Sequence, residues 1–169
     1  MDRLRLTASD VTAYAGRYRA NSDDNVAALV AVVRDRGFLT KAELAIVGEW
    51  KTPRIRSRLA TNSEERIGET TRLALSTASP ELAIYVLQVL VGVGMPVAST
   101  VLHWFHRERF PILDFRALWT LGYDVPPSYT LEFWEEYVRA TRTLADEWGT
   151  DMRTLDRALW QYSSEHQKD

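Results

Sequence analysis

The sequence predicts an all-α protein, and three observations carry that prediction. Apolar residues recur at three- and four-residue spacing through most of the 169 positions, the period that turns one face of a helix toward a core. The ends of the periodic runs carry helix punctuation: Ser9, Thr40, Ser63, Asp114 and Asp151 stand where a side-chain oxygen accepts from exposed amides, and Gly37, Gly122 and Gly149 stand just past run ends. No β-branched run alternating with polar residues is bounded by hairpin turns, so strands are not expected.

Taken in order, the first predicted helix covers residues 8–20 with Ser9 at its start, and the second covers 24–36 and is closed by Gly37. The helix over 40–50 opens on Thr40 with Glu43 three positions on, a capping box in which each side chain satisfies the other's amide. Ser63 opens 63–76. Helices over 80–90 and 96–105 begin at Pro80 and Pro96, which suit a first turn where no amide partner is needed. Asp114 opens a short helix over 115–121, ended by Gly122. A loop over 123–130, holding Pro126 and Pro127, leads to the long helix 131–148, and Asp151 opens the last, 152–165.

Composition narrows the class further. A 46% hydrophobic content suits one globular domain, or two small subdomains wrapped from one chain. No linker rich in Pro, Gly or Ser separates independent domains, and no repeat is visible. The absence of cysteine excludes disulfides, cysteine-ligated zinc and a cysteine-ligated iron–sulfur cluster. The start, MDRLRLTASD, lacks the apolar core of a signal peptide, and the longest apolar run is short and broken by glycine. A soluble cytoplasmic protein without a membrane association is therefore expected. The net charge is −2, yet residues 1–60 hold 11 Lys/Arg against 7 Asp/Glu, so a local basic footprint is compatible with it. Six Trp, seven Tyr and five Phe serve cores and base-stacking surfaces alike.

The most informative stretch runs from residue 87 to 121: helix, Gly92-Val93-Gly94 turn, helix, short loop, then Asp114 opening another helix. Glycines without a Cβ let the chain turn sharply and bring amides to an approaching anion, of which a phosphate is the obvious case. The glycines, Ala98 four positions past the second one, the apolar helix, and an acid 22 positions after Gly92 together resemble the helix-hairpin-helix DNA glycosylase superfamily, in its endonuclease III branch. The segments WKTPR, PILDFRALW and RTLDRALWQYS are also similar to an uncharacterised bacterial branch, which carries no activity with it.

The resemblance implies a two-lobed bundle of about nine or ten helices within a single domain over 1–169. The middle lobe would span about 24–121 with the hairpin over 81–105, and the N-terminal helix with the helices over 130–165 would form the second lobe, Asp114 facing the cleft between them. It implies hydrolytic excision of a damaged or modified base from double-stranded DNA, with no cofactor and no obligate protein partner. Asp114 would stabilise the cationic sugar and activate water, and its alternative is a plain helix cap. Main-chain amides of Gly92, Val93 and Gly94 would grip a phosphate, the alternative being an ordinary turn. Pro96 stands where bifunctional members carry a lysine, so a Schiff-base amine is missing there and a monofunctional enzyme without lyase activity is expected.

Other candidates come from the residues themselves. Pro53 permits a helix to begin there, on which Arg54 and Arg58 share a face and neutralise phosphates, unless they are solvated and paired with acids. Trp50 and Lys51 are candidates for the rim of a base pocket, against core packing and a surface charge. Arg153, Arg157, Trp160 and Gln161 fall on one helical face and offer hydrogen bonds and stacking to an extruded base, while an ion-pair ladder with a core Trp160 explains them as well. Arg116, with Arg107 and Arg109, flanks the loop to Asp114 and is a candidate for the DNA backbone or for orienting the carboxylate. His103 and His106 are three apart without a third ligand in a known spacing, so no metal is expected. Ser99, Thr100 and Ser163 lack a matching histidine and acid, which disfavours a serine or threonine nucleophile. A non-catalytic DNA-binding module and a helical interaction protein remain the alternatives to the enzyme.

Overall fold

The computed structural model describes residues 3–20 and 22–167, and these fold into helices and loops with no strand among them. In chain order the helices are α1 (Val11–Arg17), α2 (Asp24–Ala27), α3 (Val30–Arg36), α4 (Lys41–Lys51), α5 (Arg56–Leu59), α6 (Glu64–Ser76), α7 (Pro80–Leu87), α8 (Met95–Phe105), α9 (Phe115–Leu121), α10 (Leu131–Glu147) and α11 (Met152–His166). Short 3-10 turns at Ala8–Asp10 and Pro53–Ile55 lead into α1 and α5. No helix among the described residues is long and apolar enough to cross a membrane.

The chain clusters into two compact units: residues 22–110, holding α2 to α8, and residues 1–21 with 111–169, holding α1 and α9 to α11. The sequence groups everything to residue 121 with the middle segment. The structure instead joins α9 to the terminal helices, so Asp114 and the Gly92–Gly94 turn belong to different units. The reason lies in the packing of α9, whose buried Ala117, Leu118, Thr120 and Leu121 meet α11, with the Thr120 hydroxyl donating 2.8 Å to the Leu159 carbonyl.

In the middle unit α8 is the hub. Eight of its eleven residues are buried, so it is apolar nearly all round, as a central helix must be, and α3, α4, α6 and α7 pack on it. Leu44, Val47, Ile67, Ala74, Ile84, Leu87, Ala98, Val101 and Leu102 close this core. In the terminal unit α11 takes that place against α1, α9 and α10, with Trp134, Leu118, Leu155 and Leu159 inside. The Tyr137 hydroxyl, fully buried, donates 2.8 Å to the Ile112 carbonyl. Burial, followed by the charges of Asp156 and Asp114, holds this hydroxyl well above the ordinary tyrosine range, so it stays protonated.

Several predicted boundaries move for identifiable reasons. The helix over 8–20 ends at Arg17 because Tyr18 turns to an extended conformation, and Ser9 sits inside the 3-10 turn without capping it. The helix over 24–36 breaks at Ala28 and Leu29 into α2 and α3. Thr40 and Glu43 form the full capping box, and Ser63, Asp114 and Asp151 cap α6, α9 and α11. Gly122 ends α9 at φ 82°, and a Cβ there would lie 2.4 Å from the Arg3 Cβ, so the approach of the N-terminal segment demands glycine. The Arg5 amide fixes that approach with a 2.9 Å bond to the Thr120 carbonyl.

Candidate functional site

The Gly92–Gly94 turn is held from behind by side chains far away in sequence. Asn62, 2% exposed, receives the Val91 amide on its Oδ1 at 2.9 Å and donates through Nδ2 to the Val91 carbonyl at 3.0 Å and the Leu59 carbonyl at 3.1 Å. Arg66 donates to the Val89 carbonyl at 2.6 Å. Neither residue stands out in the sequence, since an Asn in a short polar loop has no spacing that points to a turn 29 positions on.

The two glycines differ in what they are for. Gly92 has φ 88°, and a Cβ on it would lie 2.9 Å from the Arg58 Cβ and 3.4 Å from the Leu59 amide nitrogen, so close packing on α5 requires glycine. Gly94 is exposed with φ −94° and ψ 177°, and a Cβ there would face open space, its nearest neighbour being Pro96 Cδ at 3.9 Å. Nothing within the chain requires glycine at 94. Among the described residues no backbone acceptor meets the amides of Gly92, Gly94 and Met95, while the Val93 amide is taken by the Leu90 carbonyl at 3.0 Å and Pro96 has none to give. The available donors are therefore the amides of both glycines, as the sequence expects, and of Met95 at the start of α8, while the Val93 amide of the expected grip is already bonded.

Arg58 stands beside this turn through its contact with Gly92, exposed and with no carboxylate in ion-pair reach among the described residues; Arg54 is exposed likewise. The sequence expects Arg54 and Arg58 on one helical face. The segment starts at Pro53 as a 3-10 turn that runs directly into α5 at Arg56, so Arg54 stands in the turn and Arg58 in the helix. Arg56 pairs with Glu49 at 3.0 Å, so it is the compensated cation of the three.

Trp50 and Lys51 end α4 partly buried. The Trp50 indole N–H donates 3.1 Å to the Ser22 carbonyl, and its ring meets Trp104 edge-on at 5.8 Å, a packing role. His106 accepts from the Glu108 amide on Nδ1 at 2.9 Å, which leaves its Nε2 to donate to the Thr77 carbonyl at 3.1 Å, and His103 Nδ1 lies 2.7 Å from the Phe110 carbonyl. These histidines tie the end of α8 to neighbouring loops. Ser99 and Thr100 are fully buried and donate to the Pro96 carbonyl at 2.8 and 2.9 Å. Arg107 and Arg109 are exposed.

Asp114 is partly buried and caps α9, its Oδ1 accepting from the Arg116 amide at 2.9 Å. Its charge, after burial, raises the hydroxyl of Tyr129 above the usual tyrosine value, which puts that phenol within its electrostatic reach. The Arg116 guanidinium lies over two rings, 5.2 Å from Phe115 and 5.1 Å from Trp160. Trp160 in turn meets Tyr18 edge-on at 5.4 Å, and Arg153 lies 5.1 Å over Tyr18 while pairing with Asp156. The C-terminal stripe is thus split. Arg153 serves the ion-pair reading, Trp160 is partly buried, and Gln161 donates 2.8 Å to Glu165. Glu165 also holds Arg17 through 3.0 and 2.9 Å bonds, which with Gln161 bring its carboxyl down to about 2.

Two separate arrangements follow. The middle unit presents free amides and uncompensated arginines, suited to an anion, and the terminal unit presents a carboxylate beside an arginine–aromatic stack. No family model matches the chain, and no curated protein and no solved structure gives a significant match to it.

Proposed function

We propose that this chain is a monofunctional DNA glycosylase, binding double-stranded DNA and hydrolysing the N-glycosidic bond of a damaged or modified base flipped from the duplex. The observation that carries the reading is the corner where Gly92 packs on Arg58. It combines an exposed glycine that nothing among the described residues requires, three amides without a backbone acceptor among those residues and an uncompensated arginine, the elements of a phosphate grip. The spacing from that corner to Asp114 supports the chemical half. Bond cleavage leaves positive charge on the sugar, which the Asp114 carboxylate stabilises while orienting the water that adds to C1′, and the base departs with a proton. Pro96 lies in the first turn of α8 and offers no amine, so water alone displaces the base, the abasic sugar stays in place and the strand stays intact.

The second reading is a DNA-binding module without catalysis, favoured by the bond from the Arg116 amide to Asp114, which gives that acid a purely structural employment. The two separate on a panel of duplexes carrying uracil, oxidised, alkylated and hypermodified bases, developed with alkali to reveal abasic sites. The enzyme yields alkali-dependent breaks on at least one member and none without alkali. Salt-sensitive duplex binding with no base release on any member selects the binding module instead.

A further inference from the structure

The stack of Phe115, Arg116 and Trp160 contains more than helix packing requires. Phe115 is 48% exposed on the first turn of α9, Trp160 is partly buried on α11, and the Arg116 guanidinium lies over both rings at 5.2 and 5.1 Å. No carboxylate among the described residues comes within ion-pair distance of Arg116, although acids outnumber bases in the chain. The inner end is fixed: Trp160 rests edge-on against Tyr18, which is 8% exposed and backed by Arg153 at 5.1 Å and Arg157 at 5.9 Å. An arginine and two rings presented on a rigid base, with their charge unspent, match a planar ligand carrying negative charge.

We infer that Phe115, Arg116 and Trp160 form a stacking surface for unpaired bases of a single-stranded nucleic acid, a second binding surface in the terminal unit. A base stacks on the exposed Phe115 face, and the adjoining phosphate meets the Arg116 charge; every base has such a face, so the surface tolerates sequence. This assignment shares Arg116 and Trp160 with the candidates of the glycosylase reading but uses neither the glycine turn nor base release, so strand binding without base release leaves it standing while that reading fails.

The test is fluorescence anisotropy of the full chain with a labelled twelve-residue oligothymidylate, with thymidine monophosphate as competitor. Binding of the strand is expected, weakened by about 5- to 150-fold in both Phe115→Ala and Phe115→Leu and little changed in Phe115→Tyr. Phe115 is exposed, so these variants are expected to melt as the wild type does; Arg116→Lys, which keeps the charge and loses the flat guanidinium, weakens binding in the same direction. Wild-type-like binding by Phe115→Leu or Arg116→Lys overturns the inference, as does an absence of strand binding at low salt. Competition by the mononucleotide as effective per mole as the strand reassigns the surface to free nucleotides and overturns it equally.

Discussion

Replacing Gly92 and Gly94 in turn separates folding from recognition within one three-residue turn. Gly92→Ala puts an L residue at φ 88° and a Cβ 2.9 Å from the Arg58 Cβ, an atom fixed to the backbone that cannot swing away. Left-handed placement costs about 1–2 kcal/mol and overpacking adds about 1–3 kcal/mol, so a loss of about 2–5 kcal/mol is expected. In urea that is a midpoint drop on the order of 1 M or more. Gly94→Ala meets only Pro96 Cδ at 3.9 Å in an ordinary extended conformation. It should leave stability within about 1 kcal/mol, with any gain coming from a less flexible unfolded chain. Its methyl group stands instead where a phosphate oxygen would approach the amides, so duplex binding by anisotropy at low salt should fall about tenfold or more, equivalent to about 1.4 kcal/mol. Gly92→Ala with an unchanged urea midpoint would refute the packing argument. Gly94→Ala with wild-type duplex binding would refute the phosphate grip.

Further predictions follow from the same geometry. Asn62→Ala leaves the Val91 amide and two carbonyls without their partner, and it should destabilise by about 2–4 kcal/mol in urea, given about 1–3 kcal/mol for each buried unsatisfied group. Arg58→Gln removes an exposed cation with no ion pair, so stability should be unchanged while the slope of log binding constant against log salt drops by about 0.9 on duplex DNA. Glu165 has its carboxyl held near 2 against an ordinary 4.5, by Arg17 first and Gln161 next. A depressed folded value means that its contribution is fully present above pH 4.5 and is lost as pH falls toward 2, where the unfolded chain binds the extra proton first. Thermal melts of Glu165→Gln and wild type should therefore differ most near pH 7 and converge toward pH 2; a constant gap would contradict the pairing.

Punctuation made much of the fold legible. Thr40 with Glu43, Ser63, Asp114, Asp151, Gly37 and Gly122 act locally, through amides or a positive φ one to three residues away, and each marks a helix end in the structure. What escaped was set by distant partners. The break at Ala28 and Leu29 has no Gly or Pro to announce it, and the helix expected from Pro53 opens as a 3-10 turn before α5 begins at Arg56. Asn62 bonds to a turn 29 residues later, a relation without any period in the sequence. Grouping α9 with the terminal helices depends on its burial against α11, which chain order does not reveal. Within the candidate site, Gly92, Arg58 and Asp114 could be named because glycine, a free cation and a cap are chemical types. Which of the two glycines answers to the fold, and which is left for a ligand, required coordinates.

The central claim is that Asp114 does chemistry beyond capping α9, and single-turnover base release isolates it. Asp114→Asn and Asp114→Ser both keep a side-chain oxygen for the Arg116 amide, so helix and stability should be retained within about 0.5 kcal/mol while the carboxylate is gone. On whichever lesion duplex loses a base to the wild type, both variants should release base at least about 100-fold more slowly with duplex binding intact, the order of loss seen when one charge-stabilising group is removed. Base release by either variant at the wild-type rate would contradict the account and leave Asp114 as a helix cap alone.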